Sequence, residues 1–149
     1  MARTAHTRVT IIASQFNESL SRALVRGAQD VLRRAGVPAA GIRVLWVPGA
    51  FELPVVAAQI AGSRRRPNAI IAVGALIRGQ TPQYEVLAHA VAQGLTQVAV
   101  GAAIPVTFGV IVAENAAQAR ARAGGAMGNR GAEAAMAALA VLRLFEEIS

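Results

Sequence analysis

Among its 149 residues the chain has no cysteine and no lysine, so every strongly basic side chain is an arginine. Thiolate chemistry is therefore excluded, and so are a protein-borne Schiff base and a Walker-type phosphate lysine; any imine formed here must use a substrate amine. Two histidines, His6 and His89, with no cysteine, cannot assemble a zinc site of the usual Cys/His type within one chain. Only 15% of residues are charged and 54% are hydrophobic, which argues against disorder. The apolar runs are too short and too often interrupted to span a bilayer. The opening Met-Ala-Arg-Thr-Ala-His shows neither the apolar stretch nor the small-residue cleavage site of a secretory signal, so a cytoplasmic location is expected.

A formal net charge of +7 raises the question of a polyanion partner. The arginines are nevertheless scattered, with one short run at Arg64, Arg65 and Arg66 that reads as a solvated surface loop. Nucleic acid is not the expected partner.

The apolar stretches Arg8 to Ala13, Ile42 to Val47, Ala69 to Leu76 and Val106 to Val112 hardly alternate in polarity, as strands covered on both faces do. Between them lie helical patterns. The first carries Leu20, Leu24, Ala28, Val31 and Ala35 at three- to four-residue spacing and closes at Gly36 and Pro38. Others are expected over Phe51 to Ala61, about Tyr84 to Val100, and about Glu114 to Arg122. An alanine-rich terminal helix, about Gly131 to Glu147, is expected to cover the sheet. The fold class is thus α/β, a doubly wound parallel sheet in one domain spanning residues 1–149. Ligands of such sheets bind outside the carboxyl ends of the strands. The loops to inspect are Ser14 to Asn17, Pro48 to Phe51, Gly74 to Gln83, and the stretch from Phe108.

The loop GALIRGQTPQY sets Arg78, Gln80 and Thr81 before a helix and suits an anion. Thr81 capping that helix and Pro82 starting it account for the same residues equally well. In VPGAFELP, Phe51 and Glu52 suit a ligand, and equally a core aromatic and a dipole-complementing charge. Near the carboxyl end, Arg122, Arg130 and Glu133 surround a glycine-rich connection; an arginine there can clamp phosphate, cap a helix, or pair with Glu133.

From QFNESL through VPGAFELP, GALIRGQTP, IPVTFGV and AENAAQARARAG to GNRGAEAA, these motifs resemble the lumazine synthases in order and over nearly the whole chain. The resemblance implies a three-layer sandwich with a four-stranded parallel sheet of flavodoxin-like topology. It also implies a reaction of riboflavin biosynthesis, without cofactor or metal. In it 5-amino-6-(D-ribitylamino)uracil and 3,4-dihydroxy-2-butanone 4-phosphate condense to 6,7-dimethyl-8-ribityllumazine, phosphate and water. Phe16 matches the aromatic that stacks on the pyrimidine. Ala50, Phe51 and Glu52 match the segment holding the uracil and ribityl chain, and Ala75, Leu76 and Ile77 extend that pocket. Gln80 and Thr81 match the phosphate loop, where the family more often has glutamate before the threonine, and Arg122 matches the phosphate-binding arginine. The family's counterparts of Phe108, Arg122 and Arg130 enter the pocket from a neighbouring subunit of a pentameric ring, and some rings build icosahedral shells; the short Ala123 to Asn129 connection leaves that open.

One departure bears on catalysis: Gln83 stands where the family usually has a proton-transferring histidine, and glutamine does not ionise. His89 is no evident substitute, since six residues along a helix place it about 240° around the axis from Gln83. The competing reading is a ring or shell protein that has kept the fold while losing much of its catalysis. The joint presence of Phe16, Glu52, Thr81 and Arg122 favours the enzyme.

Overall fold

The β-branched runs pair as a single parallel sheet in the computed structural model, which describes residues 4–149. Residues 1–3 of the expected domain and amino-terminal stretch lie outside the described residues. Strands β1 (Val9–Ser14), β2 (Ile42–Val47), β3 (Ala69–Ile77) and β4 (Val106–Ala113) stand in the order β2-β1-β3-β4. Val9 pairs with both Ile42 and Ala69, and Ile70 with Val106. The central strands explain the missing alternation: all of β1 is buried, and β3 is buried as far as Leu76. The edge strands β2 and β4 are only partly covered.

Helices α1 (Glu18–Arg34) and α5 (Arg130–Ile148) cover one face, with Leu24, Ala28 and Leu32 meeting Ile11, Ile71, Ala135 and Ala138. Helices α2 (Leu53–Ala61) and α3 (Gln83–Ala102) cover the other, where Leu53, Ala57, Val91 and Leu95 pack on Ile12, Ile70 and Ala72. This is the expected three-layer α/β sandwich. At the switch point the chain leaves β1 toward β2 on one side, whereas β3 lies on the other. The loops after β1 and β3 therefore diverge and leave a crevice.

Helix α1 ends as its sequence implies. Gly36 takes a φ of 95° and the Val37 N–H donates to the Leu32 carbonyl, satisfying an orphan acceptor of the last turn. Elsewhere local chemistry moves the expected boundaries. A 3-10 turn, Ala50–Glu52, precedes α2, so the helix begins at Leu53 instead of Phe51, with Pro54 in its first turn, where a missing N–H costs nothing. Helix α4 (Ala116–Ala121) is shorter than the expected Glu114 to Arg122, because the extended Asn115 caps it by accepting from the Gln118 N–H at 2.8 Å. The glycine-rich connection is a small antiparallel hairpin, β5 (Ala123–Gly125) and β6 (Gly128–Asn129), not a plain loop.

That hairpin is held against α1. Asn129 accepts from the Ala132 N–H as the cap of α5 and donates to the Ala23 carbonyl of α1 at 3.1 Å. At Gly131 a Cβ would collide with the Leu24 backbone, so only glycine lets α5 start this close to α1. The Arg64 to Arg66 run lies exposed between α2 and β3. The Arg8 guanidinium donates to the Arg65 and Arg66 carbonyls, and Arg66 donates to the Ala102 carbonyl, so these arginines tie the loop down.

Candidate active site

All four phenylalanines are at least 39% exposed, while the core is almost wholly aliphatic. The exposed phenylalanines of so aromatic-poor a chain are candidates to meet a ligand or a neighbour. Phe16, at 72%, and Phe51, at 60%, flank a cavity of about 330 Å³ at the carboxyl ends of β1, β2 and β3.

Backbone pairing fixes the first wall. Beyond the strands the Gln15 N–H donates to the Val47 carbonyl and the Phe16 N–H to the Pro48 carbonyl, holding Phe16 beside the β2 loop. Asn17 then adopts a left-handed conformation, φ 61°, which asparagine tolerates better than most residues, and its side-chain amide donates to the Ala75 carbonyl at 3.0 Å. The turn thus aims Phe16 outward while Asn17 fastens the β1 loop to β3. In the second wall a Cβ on Gly49 would lie 3.2 Å from Glu52 Oε1, so the carboxylate folds back over the Gly49 backbone at the rim.

The third wall is the end of β3 and the start of α3. Pro82 occupies the cap position and Gln83 is the first helical residue, so neither Thr81 as cap nor Pro82 as first residue is what the structure has. No side chain caps α3, which leaves N–H groups of its first turn and the exposed Thr81 hydroxyl open to an anion.

The cavity brings together Phe16, Ala50, Phe51, Ala75, Leu76, Ile77, Thr81 and Gln83 from the sequence reading. It adds Asn17, Gly49 and Gly79, which lie in the loops marked for inspection without being named as site residues, and Tyr84 and Leu87, which that reading missed. Asn17 had a usable signal, an asparagine between a strand and a helix; Tyr84 stood beside Gln83 as the sole tyrosine. Glu52 and Gln80 border the lining without belonging to it, and His89 is exposed along α3 away from it. Burial, the hydrogen bond its hydroxyl donates to Glu85 Oε1 at 3.2 Å, and the Glu85 charge push the Tyr84 phenol above its ordinary pKa of 10.0.

Phe108, Arg122, Arg130 and Glu133 do not line this cavity. Phe108 projects from the edge strand β4. Arg122 and Arg130 sit at the base of the hairpin, joined by a 2.9 Å bond from the Arg130 N–H to the Arg122 carbonyl. Arg130 pairs with Glu133. Arg122 donates to the Gln118 carbonyl and, among the described residues, has no carboxylate partner. It is a half-buried cation available to an anion. Among the described residues no group of His, Asp and Glu side chains could hold a metal ion, and no helix is long and apolar enough to cross a membrane.

A family model described as 6,7-dimethyl-8-ribityllumazine synthase matches residues 6–146. Proteins of that name are similar over most of their length. The one from Gemmatimonas aurantiaca is 48% identical over 139 residues, 93% of this chain and 84% of the relative. That from Thermus thermophilus is 42% identical over 142 residues, and that from Leuconostoc mesenteroides 37% over 141, each pairing 95% of this chain with 90% of the relative.

Proposed function

The chain belongs to the 6,7-dimethyl-8-ribityllumazine synthase family, and from that premise we propose how its pocket carries out the family's condensation. The enzyme is a transferase of riboflavin biosynthesis that joins 5-amino-6-(D-ribitylamino)uracil to 3,4-dihydroxy-2-butanone 4-phosphate. One observation carries the reading: residues from three separate loops, each matching a family motif, line a single cavity at the sheet's switch point.

The pyrimidine stacks on Phe16, with Ala50, Phe51 and the Ala75 to Ile77 backbone forming its slot and Glu52 at the rim taking ribityl hydroxyls. The butanone phosphate lies at the open start of α3 by Gln80 and Thr81, where the helix dipole and free N–H groups favour it. The uracil amine attacks the ketone to form an imine with loss of water, phosphate leaves by elimination, and the second amine adds to the remaining carbonyl and closes the ring with loss of a second water. Holding two substrates in register is the main contribution, since well-oriented pairs reach effective molarities on the order of 10⁵ M or more. Neither the absent lysine nor the non-ionising Gln83 is an obstacle to that.

The chain acts as one domain in the cytoplasm, in a pentameric ring whose sites are shared. Phe108, Arg122 and Arg130 of one subunit complete the cavity of the next, with Glu133 steadying Arg130. Support comes from the unpaired Arg122 and from the exposed Phe16, Phe51, Phe108, Val55, Val86 and Val100, apolar side chains that a neighbouring subunit would cover. The test is to mix the purified protein with both substrates and follow lumazine absorbance. Formation well above the spontaneous rate is expected; a rate equal to it would leave a ring without catalysis.

A further inference from the structure

Of the residues lining the cavity, Tyr84 alone has a titratable side chain. Asn17 is engaged with the Ala75 carbonyl, and Thr81 and Gln83 do not ionise near neutral pH. A condensation that moves protons between nitrogen and oxygen thus finds no histidine here, but it does find a phenol. The Tyr84 hydroxyl donates to Glu85 Oε1, and Glu85, the next residue on α3, is exposed to solvent. The pair links a buried cavity wall to water. We infer that Tyr84 and Glu85 form a proton relay for this site: the phenol oxygen takes a proton from the attacking substrate amine while passing its own to the Glu85 carboxylate.

The inference rests on the condensation proposed above. As the amine nitrogen bonds to the ketone carbon, it sheds a proton through Tyr84 to Glu85. The same proton returns through the phenol to the alkoxide, giving the neutral carbinolamine; when its C–O bond breaks, the remaining nitrogen proton follows the same path to the departing hydroxyl, which leaves as water. Amine and ketone become imine and water, nothing is oxidised or reduced, and both side chains end as they began. Phenolate is never required, which suits a phenol kept protonated by burial and by Glu85. The other charges acting on it are Arg78, after β3, which favours phenolate, and Glu114, after β4, which opposes it.

Tyr84→Phe keeps the ring that packs the core and removes only the hydroxyl; Glu85→Gln changes an exposed side chain. In the assembled enzyme each is expected to lower kcat about tenfold to a hundredfold with both KM values nearly unchanged, because general acid–base assistance acts on the step and not on binding. Adding Gln83→His to Tyr84→Phe should restore much of the loss. Because the chain has one tyrosine, its phenolate absorbance titrates Tyr84 alone, and the midpoint should fall in Glu85→Gln. Retention of kcat within twofold in either single variant, or an unmoved midpoint, overturns the relay. An inactive unmodified protein would instead overturn the proposed function, and the relay with it.

Discussion

The two ends of the substrate machinery are built differently. The loops after β1, β2 and β3 converge within one chain and close a cavity, whereas Phe108 is exposed on the edge strand β4 and the Arg122–Arg130 hairpin is held against α1, both outside that cavity. The first region supplies shape and apolar surface, and the second supplies Arg122, a cation with no carboxylate partner among the described residues. A pocket for a phosphorylated substrate needs both. In the proposed ring, their separation makes the functional unit larger than the folded unit.

Mixing variants tests that separation most severely. Phe16→Ala and Arg122→Ala assemblies should each lose most activity, but a co-assembled equal mixture should recover roughly one quarter of the sites, those pairing an intact cavity with an intact neighbouring hairpin. No recovery, with mixed rings demonstrated, would place both halves in one chain. In steady-state kinetics, Arg122→Ala should raise the KM for the butanone phosphate about ten- to a hundredfold, from a charge-assisted contact of roughly 1.5–3 kcal/mol, and leave the pyrimidine KM alone. A change confined to the pyrimidine would assign the hairpin to the other substrate.

Smaller effects sharpen the cavity side. Gln83→His in the unmodified background should raise turnover several-fold, because the relay already moves protons and positioning dominates the rate. A lower rate with chemistry rate-limiting would mean the site is rebuilt around glutamine. The smallest effect is in pH: the folded pKa of Tyr84 lies above the ordinary 10.0, so the stability it adds is complete below that value and is lost as pH rises through the folded midpoint. Alkaline unfolding followed together with phenolate absorbance should show the two coupled, and Tyr84→Phe should move alkaline unfolding to higher pH.

The four strands were legible because unbroken Val and Ile runs have one physical explanation in a sheet covered on both faces. The motif residues around the cavity were legible through their family pattern. The hairpin was not, since Gly124, Gly125 and Gly128 carry no periodicity and their pairing depends on Asn129 reaching α1, a contact across 106 residues. Tyr84 escaped notice for a different reason. A lone aromatic in a helix reads as core, which it is, and its hydroxyl partner becomes visible only in three dimensions.

The clasp between Asn129 and α1 has a meaning beyond the single chain. Helix α1 starts at the turn that sets Phe16 at the rim of its own cavity, and at Ala23 it grips the hairpin whose arginines, in the proposed ring, reach into the next one. One stiff rod therefore touches two sites. In the proposed ring, the helix that positions one pocket would also brace the arginines that complete the next.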